Sequence, residues 1–183
     1  HPRQPRTRDE LYAYCDDVAG SVGRCCVAVW GVRSSASFDD SLNLAASLGR
    51  AFQLTNVLRD IGEAASLSPS RCYVPESELD RLGLDHLALL QWRRPEECAA
   101  LVRVLAEDAR QNYERGAVLL GCVRQQFRPT LWAMIKVYRR TLELIQRDPS
   151  RAVRATHVRP GRAASVSIAC RAFAMSAFVA GRR

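Results

Sequence analysis

The chain has 183 residues, 48% of them apolar, and a formal net charge of +8. This is enough for one substantial core. The charge is almost all arginine, with Lys136 the only lysine; the arginines are scattered and not ranged with aromatics along a stripe, which argues against a nucleic-acid partner and leaves diphosphate ligands or an anionic membrane surface.

Apolar spacing predicts helices nearly throughout. A first helix covers 9–30, with Leu11, Tyr14, Cys15, Val18, Val22 and Val29 at mostly helical intervals. Gly31 to Ser37 reads as a loop. Ser37-Phe38-Asp39-Asp40 has the form of an N-cap with acids in the first turn, opening a second helix to about Gly62. Residues 63–75 form a Ser/Pro-containing connection. A short helix starts near Pro75–Glu76 and another covers about 85–92. A long amphipathic helix runs from about Pro95 to Gly121, broken at Phe127-Arg128-Pro129. A core helix spans about 130–147 and stops at Asp148-Pro149. No strand pattern competes, so the fold class is all-α. Residues 151–183 read as a basic tail, amphipathic or disordered over 163–180; Arg171 at its centre makes it a poor transmembrane segment.

The seven cysteines contain no C-x-x-C pair and are odd in number, which favours free thiols in a reducing compartment over a disulfide framework or a zinc site. The three histidines, His1, His86 and His157, form no ligand cluster. Arg3, Arg6 and Arg8 are followed by no apolar segment, so no signal peptide is read there.

The segment Gln53–Glu63 stands apart. At roughly 100° per residue, Gln53, Asn56 and Asp60 fall within about 60° of one another on an otherwise apolar helix. Two amides and a carboxylate are costly to bury unpartnered. Such oxygen ligands suit Mg²⁺, which usually also holds waters and substrate phosphates. A capped, hydrogen-bonded helix end near Gly62 would use the same residues.

Three ordered stretches resemble the squalene/phytoene synthase family. They are Tyr14-Cys15-Asp16-Asp17-Val18-Ala19-Gly20-Ser21-Val22-Gly23, then Leu48 to Glu63, then Arg71-Cys72-Tyr73-Val74-Pro75 with Glu78-Leu79. A weaker match extends to Arg128-Pro129 and Tyr138-Arg139-Arg140. Details at Gly23-Arg24 and Tyr138 are most similar to the hopanoid-pathway branch that makes presqualene diphosphate. The resemblance implies an isoprenoid synthase fold, of which residues 1–150 would be the C-terminal part. It implies Mg²⁺-dependent head-to-head condensation of two prenyl diphosphates, farnesyl or geranylgeranyl. It assigns catalytic roles to Tyr14 and Asp60, metal ligation to Asn56 and Asp60, and substrate contacts to Gln53, Arg59, Arg71 and Tyr138. Val18–Gly23 would line the cavity. The hopanoid-like features suggest farnesyl diphosphate with no nicotinamide step, and no glycine-rich dinucleotide motif is present. A cytoplasmic location is expected, with peripheral contact at a membrane because the substrates are greasy.

The chain departs from the family in three ways. Ala64 stands where the D-x-x-x-D motif has its second aspartate, about 40° round the helix from Asp60. The link Ala65–Arg71 is longer and lacks a glycine. No D-x-x-x-D occurs in the chain, so the family's first aspartate-rich helix is missing from it. Two functions follow: part of a prenyl synthase, inactive or incomplete alone, or a catalytically degenerate relative that binds a prenyl lipid or a protein partner.

Overall fold

The computed structural model describes residues 4–66, 71–154 and 158–180. Helix α1 (Arg8–Cys15) starts at Thr7, whose hydroxyl accepts from the Glu10 amide at 3.3 Å. It runs through a π-helical turn, Asp16–Gly20, into α2 (Ser21–Trp30). The single helix predicted over 9–30 is thus continuous but widened at its middle. Gly31, at φ 72°, turns the chain out of α2.

Helix α3 (Phe38–Arg59) is the centre of the molecule. Ser37 caps it as the sequence indicates, accepting from Asp40 N at 3.2 Å, with Asp39 and Asp40 in the first turn. Ala45, Leu48, Ala51, Leu54, Thr55, Val57 and Leu58 are buried along it, so no solvent face survives in its second half. It packs on α2 and on α7 (Pro95–Gly116) and α9 (Arg128–Arg147). Asp60, at φ −106° and ψ 11°, breaks the helix before α4 (Ile61–Ser66). The predicted connection from 63 therefore begins later. Ala64 and Ala65 favour one more turn, and Ala64 N donates to Asp60 O at 2.8 Å.

Short helices α5 (Glu76–Arg81) and α6 (His86–Leu90) follow. Helix α7 ends at Gly116, five residues before the predicted Gly121, and α8 (Leu119–Cys122) is a separate turn. Pro129 sits in the first turn of α9, where its missing N–H costs nothing. One isolated antiparallel bridge, Val32 to Val123, is the extended pairing among the described residues. The core is aliphatic, with Leu11, Leu48, Leu54, Leu58, Leu101, Leu105, Ile145 and Tyr113 fully buried. All seven cysteines are free thiols.

The expected all-α fold is what the chain forms. The tail read as amphipathic or disordered contains a helix, α10 (Arg162–Ala180), packed on α9. Its apolar residues ring the whole circumference, so it has no polar face, and Val166, Phe173 and Phe178 are exposed. Arg162–Val179 is long and apolar enough, by length and composition, to cross a membrane. Most of the altered link Ala65–Arg71 lies outside the described residues, as do His1 and His157.

Candidate functional site

The site begins with glycine. A Cβ on Gly49 would lie 2.4 Å from the Ala19 carbonyl oxygen, and one on Gly23 would lie 2.6 Å from that of Ala45. Small residues therefore let α2 and α3 touch backbone to backbone. The helices leave beside this contact a cavity of about 170 Å³, walled by α2, α3 and α9. Its wall is apolar: Val22, Cys26, Trp30, Leu48, Phe52, Leu131 and Met134. Gln53, Asn56 and Tyr138 supply the polar groups on its lining.

Asn56 Nδ2 donates to Gln53 Oε1 at 3.3 Å. Asn56 Oδ1 is buried with no hydrogen-bond partner. A buried acceptor left unmatched costs about 1–3 kcal/mol, so this oxygen is poised for a donor or a cation. The Tyr138 ring lies 4.6 Å from Phe52, which lies 5.8 Å from Tyr113. Tyr113 is held in turn by the Thr55 hydroxyl at 2.9 Å, and burial pushes its phenol well above the ordinary range. These rings fix Tyr138 on the lining.

Arg59 and Asp60 lie one turn beyond Asn56. Arg59 Nε meets Asp60 Oδ1 at 2.6 Å and Nη2 meets Oδ2 at 2.7 Å. This bidentate pair raises the Arg59 pKa, and the Tyr138 phenol acts in the same direction. The two residues lie past the cavity lining, which ends at Asn56 on this helix, and in this conformation they bind each other.

Tyr14 and Arg71 lie elsewhere. Tyr14 stacks on Tyr73 with centroids 5.4 Å apart, and burial plus Tyr73 pushes its phenol up to about 12. Arg71 shares a small apolar pocket with Ala64, Cys72, Tyr73 and His86, and its amide donates to Ala64 O at 2.9 Å. His86 Nε2 is buried there without a partner, and burial lowers its pKa. Ala64 is 4% exposed. Position 64, where the resemblance expects a carboxylate, therefore faces this pocket, beside Arg71 and His86, and not the open polar stripe.

Sequence reasoning missed one lining residue and one ion pair near the lining. Trp30 lines the cavity and stacks on Phe127; nothing in the spacing joins residues so far apart. Arg50 pairs with Asp16 at 2.6 Å across α3 and the π turn; their opposite charges in two matched motifs were a usable signal.

Among the described residues no three His, Cys, Asp or Glu side chains converge as a metal cluster. The donors toward a hard cation are Asn56 Oδ1, which lacks a partner, and the Asp60 carboxylate, which would have to leave Arg59. They fit such a cation as part of a shell completed by phosphate oxygens, water or other carboxylates.

Residues 1–165 match the family model described as squalene/phytoene synthase. A phytoene synthase 3 of Zea mays is 38% identical over 146 residues, which cover 77% of this chain and 33% of the relative. A presqualene diphosphate synthase of Sinorhizobium fredii is 37% identical over 139 residues, covering 74% and 46%. Among solved structures, a dehydrosqualene synthase in complex with ligand superposes with a TM-score of 0.76 at 25% identity, over 94% of this chain and 59% of that one. The chain thus spans between a third and a half of these two curated relatives.

Proposed function

The chain belongs to the squalene/phytoene synthase family, and from that premise we propose that it supplies one wall of a site for Mg²⁺-assisted, head-to-head condensation of two prenyl diphosphates. The observation that carries this is the orphan Asn56 Oδ1, set with Gln53 and Tyr138 on the lining of an otherwise apolar cavity. A diphosphate headgroup with a hydrocarbon tail matches that division.

Each residue then has a task. Asn56 Oδ1 accepts from, or ligates, whatever neutralises the headgroup. Gln53 offers its amide protons to phosphate oxygens. Arg59 exchanges the Asp60 carboxylate for phosphate, which its planar fork can meet in the same bidentate way. That exchange frees Asp60 to join Asn56. Mg²⁺ would supply charge neutralisation on the departing diphosphate. Phe52, Leu48 and Leu131 keep water from the allylic cation, and the Tyr138 and Phe52 ring faces lie where a cation could rest. The second set of carboxylates is not among the described residues.

Binding tests this. Farnesyl thiodiphosphate should bind with Mg²⁺ and weaken about tenfold or more when Mg²⁺ is chelated or Asp60 is replaced by alanine. Equal binding in all three conditions removes the metal assignment. Presqualene diphosphate from farnesyl diphosphate would establish turnover. Binding without turnover supports the second reading, a relative that holds prenyl lipid only, which the Arg59–Asp60 pair and Ala64 favour.

We infer in addition a cytoplasmic protein that touches membranes peripherally. The exposed Val166, Phe173 and Phe178 of α10 support this, with a net charge of +8. Co-sedimentation with anionic but not neutral vesicles should follow; equal recovery with both would count against it.

A further inference from the structure

We propose that a groove between α9 and α10 holds the phosphate of an anionic phospholipid headgroup and so sets α10 flat in a membrane surface. This rests on, and deepens, the reading of the chain as a peripheral membrane protein. Helix α9 carries two stripes. Leu131, Met134 and Tyr138 line the apolar cavity. Trp132, Lys136, Arg139, Arg140 and Glu143 lie about 150° round the helix from them and line a second groove of about 380 Å³. Ser167 and Arg171 of α10 form its other side.

The groove suits an anion. Four cationic side chains line it, against one carboxylate. Arg140 meets Glu143 at 2.8 Å, so these two satisfy each other. Lys136, Arg139 and Arg171 have no ion-pair partner among the described residues. Trp132 gathers two of them: Lys136 Nζ lies 5.9 Å from the indole centroid and Arg171 Cζ 5.7 Å. Like charges held on one ring repel until an anion joins them. Guanidinium forks meet phosphate oxygens bidentately.

The setting fits a lipid phosphate and not a free one. Helix α10 rests on α9 through the half-buried Ala164, Ile168, Ala172 and Met175. Val166 and Phe173, 61% and 76% exposed, lie about 150° from that face. An apolar surface therefore points away from α9, and the cations lie across the helix from it. An interfacial helix sinks its apolar face about 5–10 Å into the acyl boundary. With Val166 and Phe173 at that depth, the groove stands one helix diameter higher, about 10 Å, at the level of the phosphates. A helix crossing the bilayer would instead take Arg171 into hydrocarbon.

The test uses the full chain and two kinds of vesicle. One contains phosphatidylglycerol; the other is phosphatidylcholine brought to the same surface charge with cholesteryl hemisuccinate. Wild type should bind the first about tenfold more tightly. The triple variant Lys136→Gln, Arg139→Gln, Arg171→Gln should lose that preference and bind phosphatidylglycerol about a hundredfold more weakly, at about fivefold per cation. Removing three exposed arginines elsewhere, with Arg93→Gln, Arg103→Gln and Arg115→Gln, should cost about threefold at most. Trp132 is a reporter that needs no charge change. Its emission, taken as the difference from Trp132→Phe, should be quenched more by a nitroxide on the headgroup than by one at the acyl end; this arm decides if the groove triple does not fold. Equal losses in the two triples, a folded groove triple with wild-type affinity, a wild type indifferent to phosphate, or equal quenching at both depths overturns the proposal. A wild type that binds neither vesicle overturns instead the peripheral reading beneath it.

Discussion

The amide of Asn56 donates to Gln53, while its own oxygen sits in a buried position with no donor. Such a residue is tolerated where something outside the chain completes it. Asn56→Leu keeps the branched outline and removes the unmet acceptor, so it should raise stability by about 1 kcal/mol. The same change should abolish Mg²⁺-dependent diphosphate binding. A thermal melt and a titration read the two effects separately, and a variant that loses stability would show that Asn56 is only a structural amide. The stripe Gln53, Asn56 and Asp60 was legible because helical geometry alone aligns it. The Arg59–Asp60 pairing was not. It depends on the break at Asp60, and neighbours in sequence do not face each other on an unbroken helix.

Helices α2 and α3 are joined by their smallest residues. Gly49→Ala would put a methyl 2.4 Å from the Ala19 carbonyl oxygen, a backbone atom that cannot rotate away. The expected loss is about 1–3 kcal/mol, with a lowered midpoint in urea; unchanged stability would mean that the helices separate freely. The elements themselves were largely written in the sequence. Ser37 with Asp39 and Asp40 announced α3, and Pro129 announced α9. Their ends were less legible. Helix α4 persists through Ala64 and Ala65, while α7 stops early at Gly116, where a Cβ would lie 2.5 Å from Leu48. That neighbour is a tertiary one, which local pattern does not carry.

Across the whole molecule, ion pairs tie distant parts of the chain. Arg8 Nε meets Glu78 Oε1 at 2.7 Å, and Arg81 reaches the other oxygen at 2.9 Å, fastening α1 to α5. The Arg8 hydrogen bond holds the Glu78 pKa below its ordinary value. The folded pKa is depressed, so the stability this gives is complete above the ordinary carboxylate range and lost as pH falls through the folded value. Glu78→Gln should remove part of the acid sensitivity of the melting temperature while lowering it at neutral pH. Identical pH profiles for the two proteins would refute the linkage. At this scale the all-helical class was plain, because no alternating pattern competed. The Trp30–Phe127 stack was not, since it joins distant segments beside a Val32–Val123 bridge that no periodicity announces.

The π turn Asp16–Gly20 carries one residue more than an α-helical turn would need. It is therefore a slack link in the chain. Removing one residue there would leave α1 and α2 showing the same faces to their neighbours, yet it would narrow the wide turn whose Ala19 carbonyl meets Gly49. Length change at this point would thus spare the scaffold and act on the mouth of the cavity, the reverse of what an insertion within α2 or α3 would do.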